Sequence, residues 1–583
     1  MNKTVLEALM RLFAIIADVS KKGISISARD IVRSYLKRQF TQLLVDEYLK
    51  IFDKYLNYYS RNLNEVSDEV DMKVESFKSV KILVISQQIN EELEQEQKVI
   101  VLIELFEFAK ENYDLSEREL SFIKTVSNCF NIPDGDFNNI KSFVTDKHRQ
   151  IPEQDKVLII DDNHEFDNKD IKHLYNATLE GKIIVLHISS TNTFIFRYLG
   201  RSTLYLNGHN IKVNRSYFLA PGAVIKSSKV LPIYYTSVSN TFIQDSIHAR
   251  VILKADNIRY KFRNSDDGVH TFSMTAESGQ LICILGGSGV GKSTLLNVLN
   301  GNLPLTEGKI SINGYDIHDE QTQLEGVIGY VPQDDLLIEE LSVYQNLFFN
   351  AKICFTKFRN KDIEKIVDKA LKDFDLEEAR ELIVGNPLNK YISGGQRKRL
   401  NIALELMREP SILFVDEPTS GLSSMDSEKV MNLLKRQTIK GKLVIVNVHQ
   451  PSSDIYKLFD RVLVMDKGGR IIYNGNPLEA IVYFKTMSNH VDSTESECYS
   501  CGNVNSEQVL RIVEARMVNE YGKLTRIRKV SPQEWYEMYQ NNIEKEVRKT
   551  FVETEEKEKL PRTHFKIPKR AKQFKLFAWR DIL

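Results

Sequence analysis

Residues Gly286–Thr294 read GGSGVGKST and combine glycines, a lysine and hydroxyls at the spacing of a phosphate-binding loop. A strand-like run precedes them, and a helix-like run begins at Lys292. Successive backbone N–H groups of such a loop point inward, and the helix N-terminus adds partial positive charge. Lys292 is then placed to reach the outer phosphates of a nucleotide, and Ser293 to bind magnesium. The predicted nucleotide-binding residues are Gly286, Gly287, Ser288, Gly289, Val290, Gly291, Lys292, Ser293 and Thr294.

A second motif, SILFVDE at Ser411–Glu417, reads as an apolar strand that ends in two acids. A buried parallel strand would bring both acids to the carboxyl edge of its sheet. We expect Asp416 to hold magnesium. Glu417 is the better general base, because it lies one residue further toward an attacking water. Taken alone, the motif would favour a strand that ends in a solvated acidic turn, and the upstream loop favours the metal-binding interpretation instead.

Two glycines in ISGGQRKR, at residues 392–399, precede a helix-forming run and predict a second helix start suited to phosphate. One polypeptide needs only one such loop for one nucleotide. This LSGGQ-like sequence resembles the signature of the ATP-binding cassette (ABC) ATPases. Gln333 in GYVPQDD resembles their Q-loop, and His449 in VNVHQPSSD resembles their switch histidine.

The resemblance is most specific to the G subfamily of these transporters, half-transporters in which the ATPase precedes its membrane domain. It is carried by GGSGVGKSTLLNVLNG, LSVYQNLFFNA, SGGQRKRLNIALELMREPSILFVDEPTSGL and HQPSSDIY, and it covers residues 250–485. It implies an α/β P-loop ATPase cassette that hydrolyses ATP with Mg²⁺ as cofactor. The implied catalytic residues are Glu417, His449 and Gln333, and the implied magnesium ligands are Ser293, Gln333 and Asp416.

In this family the SGGQ segment of one copy closes over the ATP held by the phosphate-binding loop of the other. The resemblance therefore implies a homodimer with composite sites. An isolated copy is expected to hydrolyse ATP poorly. The residues that would act in trans are Ser393, Gly394, Gly395 and Gln396.

Aromatic residues in the first strand of the predicted cassette, NIRYKF, are candidates for stacking on the nucleotide base. The sequence distance between Phe262 and Lys292 favours Phe262 over Tyr260 as the stacking residue. For both residues, a position in the ordinary core of the strand fits equally well. One position departs from the family pattern. Ser423 stands where the family usually has the D-loop aspartate, and Asp426 follows shortly after. This change bears on communication between the two nucleotide sites rather than on hydrolysis itself.

The composition is balanced: 583 residues include 79 basic and 79 acidic side chains. This balance gives no support to nucleic-acid binding. No apolar run approaches the ~18 residues that a membrane-spanning helix needs, and the first residues lack the features of a secretory signal. Five cysteines fit a reducing compartment better than a disulfide scaffold. We therefore expect a soluble chain in a reducing compartment, and the family resemblance implies a location at the cytoplasmic face of the inner or plasma membrane.

Four regions are predicted along the chain. Residues 1–150 read as helices, with a capping start at Ser116–Glu119, and resemble a tandem TerB-like module. Residues 151–245 carry short β-rich runs and faintly resemble small forkhead-associated (FHA) domains. Residues 246–485 form the predicted cassette. Residues 486–583 read as a helical or linker segment that leads toward a transmembrane domain absent from this chain.

Two further features follow the predicted cassette. Cys498 and Cys501 have metal-ligand spacing, but zinc normally takes four ligands and the sequence has no second CxxC. A zinc site there would have to be shared between two chains. The basic stretch 562–575, followed by the aromatic residues of 577–583, is typical of a cytoplasmic approach to a membrane domain. A solvated basic tail is the alternative interpretation.

The motifs favour the energy-coupling ATPase of a G-subfamily-like transporter, most simply an exporter, whose partners are a second cassette, a transmembrane domain and an unidentified substrate. The alternative is an ATP-gated switch or scaffold, in which the helical and β-rich regions bind a partner. A single cassette in the chain argues against the translation-factor type of soluble relative, which carries two.

Overall fold

The computed structural model divides the chain into two compact units, Met1–Phe242 and Ile243–Leu583. The structure describes residues 3–19, 26–37, 42–61, 81–90, 92–110, 115–145, 151–164, 166, 168, 170–206, 209–227, 230–243, 250–263, 268–355, 358–386, 391–488, 504–518, 523–549, 557–561, 573 and 578.

Helices make up the first part of the first unit. They are Lys3–Val19 (α1), Ile26–Lys37 (α2), Gln42–Arg61 (α3), Gln95–Lys110 (α4), Glu117–Cys129 (α5) and Asp134–Val144 (α6). Helix α4 is buried along most of its length, so the other helices pack around it. Helix α5 begins as its sequence predicts, because Ser116 and Glu119 form a reciprocal capping box.

Strands follow the helices in the first unit. One sheet has the order β2-β1-β3-β4-β7 and another the order β6-β5-β8-β9. The strands are Val157–Asp161 (β1), Lys172–Tyr175 (β2), Gly181–Ile188 (β3), Thr193–Gly200 (β4), Tyr205–Leu206 (β5), His209–Asn210 (β6), Ser216–Leu219 (β7), Val224–Lys226 (β8) and Ile233–Tyr234 (β9), and helix α7 is Tyr235–Ile243. Leu186 of β3 and Ile195 of β4 share one apolar core with the helices. The TerB-like and FHA-like interpretations stay predictions.

The second unit is built on a largely parallel sheet of order β15-β16-β17-β12-β18-β19. Its strands are Leu281–Gly286 (β12), Ile328–Val331 (β15), Ile412–Val415 (β16), Leu443–Val448 (β17), Arg461–Asp466 (β18) and Arg470–Gly475 (β19). Strand β12 pairs in parallel with both β17 and β18, and only the edge strand β19 is antiparallel. Apolar, fully buried strands of this kind require cover on both faces.

A smaller antiparallel sheet, of order β11-β10-β13-β14, and a set of helices complete the cassette. The strands are Ile252–Lys261 (β10), Gly268–Glu277 (β11), Glu307–Ile312 (β13) and Tyr315–Asp316 (β14). The helices are Lys292–Leu299 (α8), Val343–Cys354 (α9), Asn360–Asp373 (α10), Gly394–Leu406 (α11), Ser424–Ile439 (α12), Ser453–Leu458 (α13) and Pro477–Met487 (α14).

A C-terminal segment then packs back onto the cassette. It comprises the helix Glu507–Val513 (α15), the hairpin strands Arg516–Val518 (β20) and Leu524–Arg528 (β21), the helix Pro532–Tyr539 (α16), a π-helical turn and the helix Lys545–Lys549 (α17). The Tyr536 hydroxyl donates to the carbonyl oxygen of Thr271 at 2.7 Å, while Trp535 is fully buried. None of the helices in the described ranges is both long enough and apolar enough to cross a bilayer.

Candidate active site

The predicted phosphate-binding loop lies between the end of β12 and the start of α8, in the middle of the parallel sheet. Gly289 and Gly291 have φ angles of 72° and 106°, in the left-handed region that favours glycine. The loop therefore turns sharply just before Lys292, the first residue of the helix. This strand–turn–helix is the structural context that the motif requires.

Lys292 is buried, and its ammonium group folds over the loop. Its Nζ donates to the carbonyl oxygens of Gly286 at 3.1 Å and Gly287 at 2.8 Å. Burial lowers the pKa of Lys292, and the carboxylates of Glu417 and Asp416 oppose that shift. Because these bonds are to neutral carbonyls, a phosphate oxygen would be a stronger partner for the ammonium group.

Asp416 and Ser293 come together across the sheet edge, as the sequence predicts. The Ser293 hydroxyl donates to Asp416 Oδ1 at 3.1 Å, although the two residues are far apart in the chain. Tyr330 also contributes, since its hydroxyl donates to Asp416 Oδ2 at 3.5 Å. A serine hydroxyl and a carboxylate are oxygen ligands of the kind that Mg²⁺ prefers, so this pair fits the metal that ATP carries.

Asn447 is a site residue that the sequence analysis missed. It lies on β17, is fully buried, and donates from Nδ2 to Asp416 Oδ1 at 2.5 Å and to Ser293 Oγ at 3.3 Å. Its Oδ1 accepts the backbone N–H of Glu417. One amide side chain therefore orients two of the three predicted magnesium ligands, Asp416 and Ser293, and the backbone of the predicted base. The available signal was a lone amide in the apolar run LVIVNV.

Glu417 and Gln333, which the sequence places in two different motifs, meet directly. Gln333 Nε2 donates to Glu417 Oε2 at 3.2 Å. Glu417 has a φ angle of 42°, an uncommon conformation for a residue that is not glycine. The hydrogen bond from its N–H to Asn447 holds this conformation in place. The carboxylate is thus oriented at the sheet edge, beside Asp416.

The remaining predicted residues lie less centrally. His449 follows β17 and is exposed at the same sheet edge as the carboxylates. Tyr260 is the next-to-last residue of strand β10, Phe262 comes just after that strand, and their ring centroids lie 5.1 Å apart. Phe262 is 45% exposed, which suits a stacking surface better than strand core. Cys498 and Cys501 fall outside the described residues, within which no cluster of three or more metal-binding side chains occurs.

The SGGQ segment forms the start of α11. Ser393 Oγ accepts the N–H of Gln396 at 3.1 Å, and Gln396 Oε1 accepts the N–H of Ser393 at 2.8 Å. This capping box fixes the helix start, and Ser393 and Gly394 are exposed. An exposed, capped helix start with glycine backbone suits a phosphate that comes from another molecule.

Two basic residues after the signature tie α11 to the Q-loop, a connection that the sequence analysis did not predict. Arg397 makes a two-point ion pair with Asp335, with both N–O distances at 2.9 Å. Lys398 Nζ donates to the backbone carbonyl of Gln333 at 2.9 Å. Burial lowers the pKa of Lys398. The signature helix and the loop that carries Gln333 are therefore linked mechanically.

Ser423, at the D-loop position, is the N-cap of α12 and accepts the N–H of Asp426. Its hydroxyl also donates to the Asp426 carboxylate at 2.9 Å. Asp426 lies 3.6 Å from Arg399 and would be 2.5 Å from a methyl group built on Gly395. Asp426 is thus occupied with the signature helix of its own chain, and Gly395 is the residue that allows this close approach.

This geometry defines a P-loop nucleotide site of the ATP-binding cassette type. Residues 269–420 match the family model described as ABC transporter. The chain carries an ABC transporter ATPase domain with homologues in the G subfamily, and domains of this family hydrolyse ATP. The predicted P-loop cassette fold is therefore confirmed for this part of the chain.

Three relatives illustrate the subfamily. ABC transporter G family member 28 of Arabidopsis thaliana is 37% identical over 213 residues, which are 36% of this chain and 19% of that protein. ABC transporter G family member 13 of the same plant is 35% identical over 253 residues, 42% of this chain and 36% of that protein. Protein white of Drosophila melanogaster is 34% identical over 265 residues, which are 43% of this chain and 36% of that protein. The match thus spans 19% to 36% of these relatives.

Proposed function

We propose that the chain binds ATP with Mg²⁺ and hydrolyses it to power the movement of a substrate across a membrane. The contact between Ser293 and Asp416 at 3.1 Å is the observation that carries the nucleotide part of this proposal. It brings the phosphate-binding loop and the second acidic motif into one site. Ser293, Asp416 and Gln333 would hold the metal, which neutralises phosphate charge when bound.

The residues of the chain then have separate roles. Lys292 exchanges its bonds to loop carbonyls for bonds to the outer phosphates, and the loop N–H groups orient them. Glu417, oriented by Gln333 and Asn447, accepts a proton from the attacking water. His449, at the same edge, steadies the terminal phosphate. Phe262, with Tyr260 beside it, stacks on the base.

We propose that two copies pair around the nucleotide. The exposed, capped start of α11 supports this arrangement, because one chain has no second nucleotide for it. Leu422 would lie 3.4 Å from a methyl group built on Gly394 at that helix start, and Met425, in the first turn of α12, is 73% exposed. A second copy would cover both side chains. The signature residues Ser393–Gln396 of each copy would complete the site of the other.

Coupling to transport rests on the exposed residues after the Q-loop. Leu336 is 76% exposed and follows the Asp335 that is paired with Arg397. The pairing of Asp335 with Arg397 fixes the start of this loop and leaves Leu336 available to contact another protein surface. We propose that a transmembrane domain contacts this loop and that the substrate moves outward, as in an exporter.

The experiment that tests the hydrolytic role uses Glu417→Gln. We expect this variant to bind ATP as tightly as the natural chain, to release no phosphate, and to form a dimer with ATP during gel filtration. Lys292→Ala, which should not bind ATP, is the matched control. Phosphate release at the natural rate from Glu417→Gln would refute the assignment of the general base.

The second candidate, an ATP-gated switch, is favoured by the first unit, whose helices and strands share a core of their own. Fractionation of the protein from its native cell separates the two functions. Recovery with membranes after a salt wash supports transport. Recovery of all the protein away from membranes supports the switch.

A further inference from the structure

Helix α15 lies outside the residues that match the family model, yet it reaches two loops of the candidate site. At its start, the buried Ser506 hydroxyl donates to the carbonyl oxygen of Pro451 at 2.6 Å, in the loop that follows His449. Just past its end, Glu514 lies against the phosphate-binding loop. A methyl group built on Gly287 would be 2.7 Å from Glu514 Oε1. Helix α15 therefore connects the His449 loop to the phosphate-binding loop.

The charge of Glu514 is only partly balanced by its neighbour Arg528. Arg528 NH1 donates to both carboxylate oxygens of Asp466, at 2.7 and 2.8 Å. Its NH2 lies 3.7 Å from Glu514 Oε1, beyond a normal hydrogen bond. Asp466 is buried, while half of the Glu514 side chain is exposed. Arg528 is thus committed first to Asp466, and Glu514 keeps negative charge beside the loop.

Asp466 belongs to the same framework as the loop. It ends β18, the strand that pairs with β12, and Met465 is opposite Gly286 in that pairing. The contact of Glu514 with Gly287 is therefore positioned by α15, with the Arg528 guanidinium 3.7 Å away on the other side. Gly287 leaves room for the carboxylate that any side chain at this position would displace.

We propose that Glu514 is a further residue that sets nucleotide affinity: its carboxylate opposes the phosphates, and Arg528 limits how strongly it does so. Like charges repel over several ångströms near a protein surface, and the repulsion weakens as salt is added. ATP, with more negative charge than ADP, is affected more. The proposal rests on nucleotide binding at the loop and not on transport or dimerisation.

One consequence is control of the nucleotide by the C-terminal segment. Glu514 lies just before the hairpin of β20 and β21 and Arg528 is its last residue, so a partner that moves this hairpin would move the carboxylate relative to the loop. Movement of the Glu514 carboxylate away from Gly287 strengthens nucleotide binding, and its return weakens nucleotide binding.

The test measures dissociation constants for Mg-ADP and for a non-hydrolysable Mg-ATP analogue by titration calorimetry on the full chain. Glu514→Gln keeps the size of the side chain and removes its charge, and Glu514→Lys reverses the charge. We expect about threefold tighter binding of the ATP analogue for Glu514→Gln and a larger gain for Glu514→Lys. The gains should be smaller for ADP and smaller in high salt.

Glu507→Gln is the matched control, because Glu507 lies on the same helix, is exposed and pairs with Arg511 at 2.9 Å. It should leave both constants unchanged. Unchanged affinity in both Glu514 variants, weaker binding in Glu514→Gln, or an equal change in the control would each overturn the proposal. Loss of all binding by the natural chain would instead contradict the proposed ATPase function.

Arg528→Gln tests the second half of the proposal. It should weaken binding of the ATP analogue in the natural chain, and this effect should disappear when Glu514→Gln is also present. Thermal unfolding of each variant is measured alongside, since Asp466 loses its partner. Equal weakening by Arg528→Gln with and without Glu514→Gln, in folded protein, would refute the role of Arg528.

Discussion

Asn447 shows how much of the site depends on one residue with no direct role in the chemistry. Its amide donates to Asp416 Oδ1 and Ser293 Oγ and accepts the backbone N–H of Glu417. The carboxylate that we propose as a metal ligand is therefore fixed by a neutral group, which adds no competing charge. Side chains that orient metal ligands in this way typically change metal affinity or activity strongly when they are removed.

Replacing Asn447 by Ala should lower the ATP turnover rate by about 10-fold and raise the Mg²⁺ concentration needed for half-maximal rate. The reason is that the Asp416 carboxylate and the Ser293 hydroxyl lose the amide group that orients them toward each other. Steady-state phosphate release across a Mg²⁺ series measures both effects. Asn350→Ala is the control: its amide donates to the Leu404 carbonyl at 2.8 Å, away from the site. An unaltered Mg²⁺ requirement in Asn447→Ala would contradict this role.

At the scale of elements, the ion pair of Arg397 with Asp335 joins α11 to the Q-loop. The Arg397 side chain is 8% exposed and Asp335 is 27% exposed, so solvent screens this pair only partly. Arg397 also donates to the carbonyl oxygens of Val384 and Gly385. A single guanidinium group therefore holds two loop segments, at Asp335 and at Val384–Gly385, against the signature helix.

Arg397→Ala should destabilise the protein by about 3 kcal/mol, because it leaves a carboxylate and two carbonyls without their buried donor. It should also lower ATP turnover, since α11 and the Q-loop lose their connection. Chemical denaturation and phosphate release measure the two effects. Arg511→Ala, whose exposed pair with Glu507 is at 2.9 Å, should cost less than about 1 kcal/mol. Equal destabilisation by both variants would argue against a special role for Arg397.

The sequence predicted those elements whose chemistry fixes both residue type and spacing. Three elements are of this kind: the phosphate-binding loop, the acidic strand end and the SGGQ helix start. Each needs glycine, lysine, an acid or serine at set positions, so each can be predicted from the sequence alone. The role of Asn447 could not be predicted, because a single amide side chain in an apolar run is compatible with an ordinary buried strand. Contacts such as Glu514 with Gly287 and Arg397 with Asp335 join distant residues of common types, and no local pattern marks them.

At the scale of the whole molecule, the two units differ in what the sequence reveals. The second unit carries nearly every motif, and its roles can be assigned residue by residue. The first unit is held by packing and by buried charge, such as Arg197, which donates to the Val144 carbonyl at 2.8 Å and lies 3.4 Å from Glu107. Such pairs link helices to strands but leave no functional pattern in the sequence.

The proposed dimer makes one prediction that only the assembled molecule can fulfil. Lys292→Ala disables the phosphate-binding loop, and Gly394→Asp places a negative charge at the helix start that would face ATP. Each variant alone should be inactive. In an equal mixture, half of the dimers would be mixed, and each would hold one complete site and one doubly damaged site. Phosphate release should therefore recover to about a quarter of the natural rate. Glu507→Gln mixed with Lys292→Ala controls for dilution, and a mixture of the two inactive variants that stays inactive would mean that each copy completes its own site.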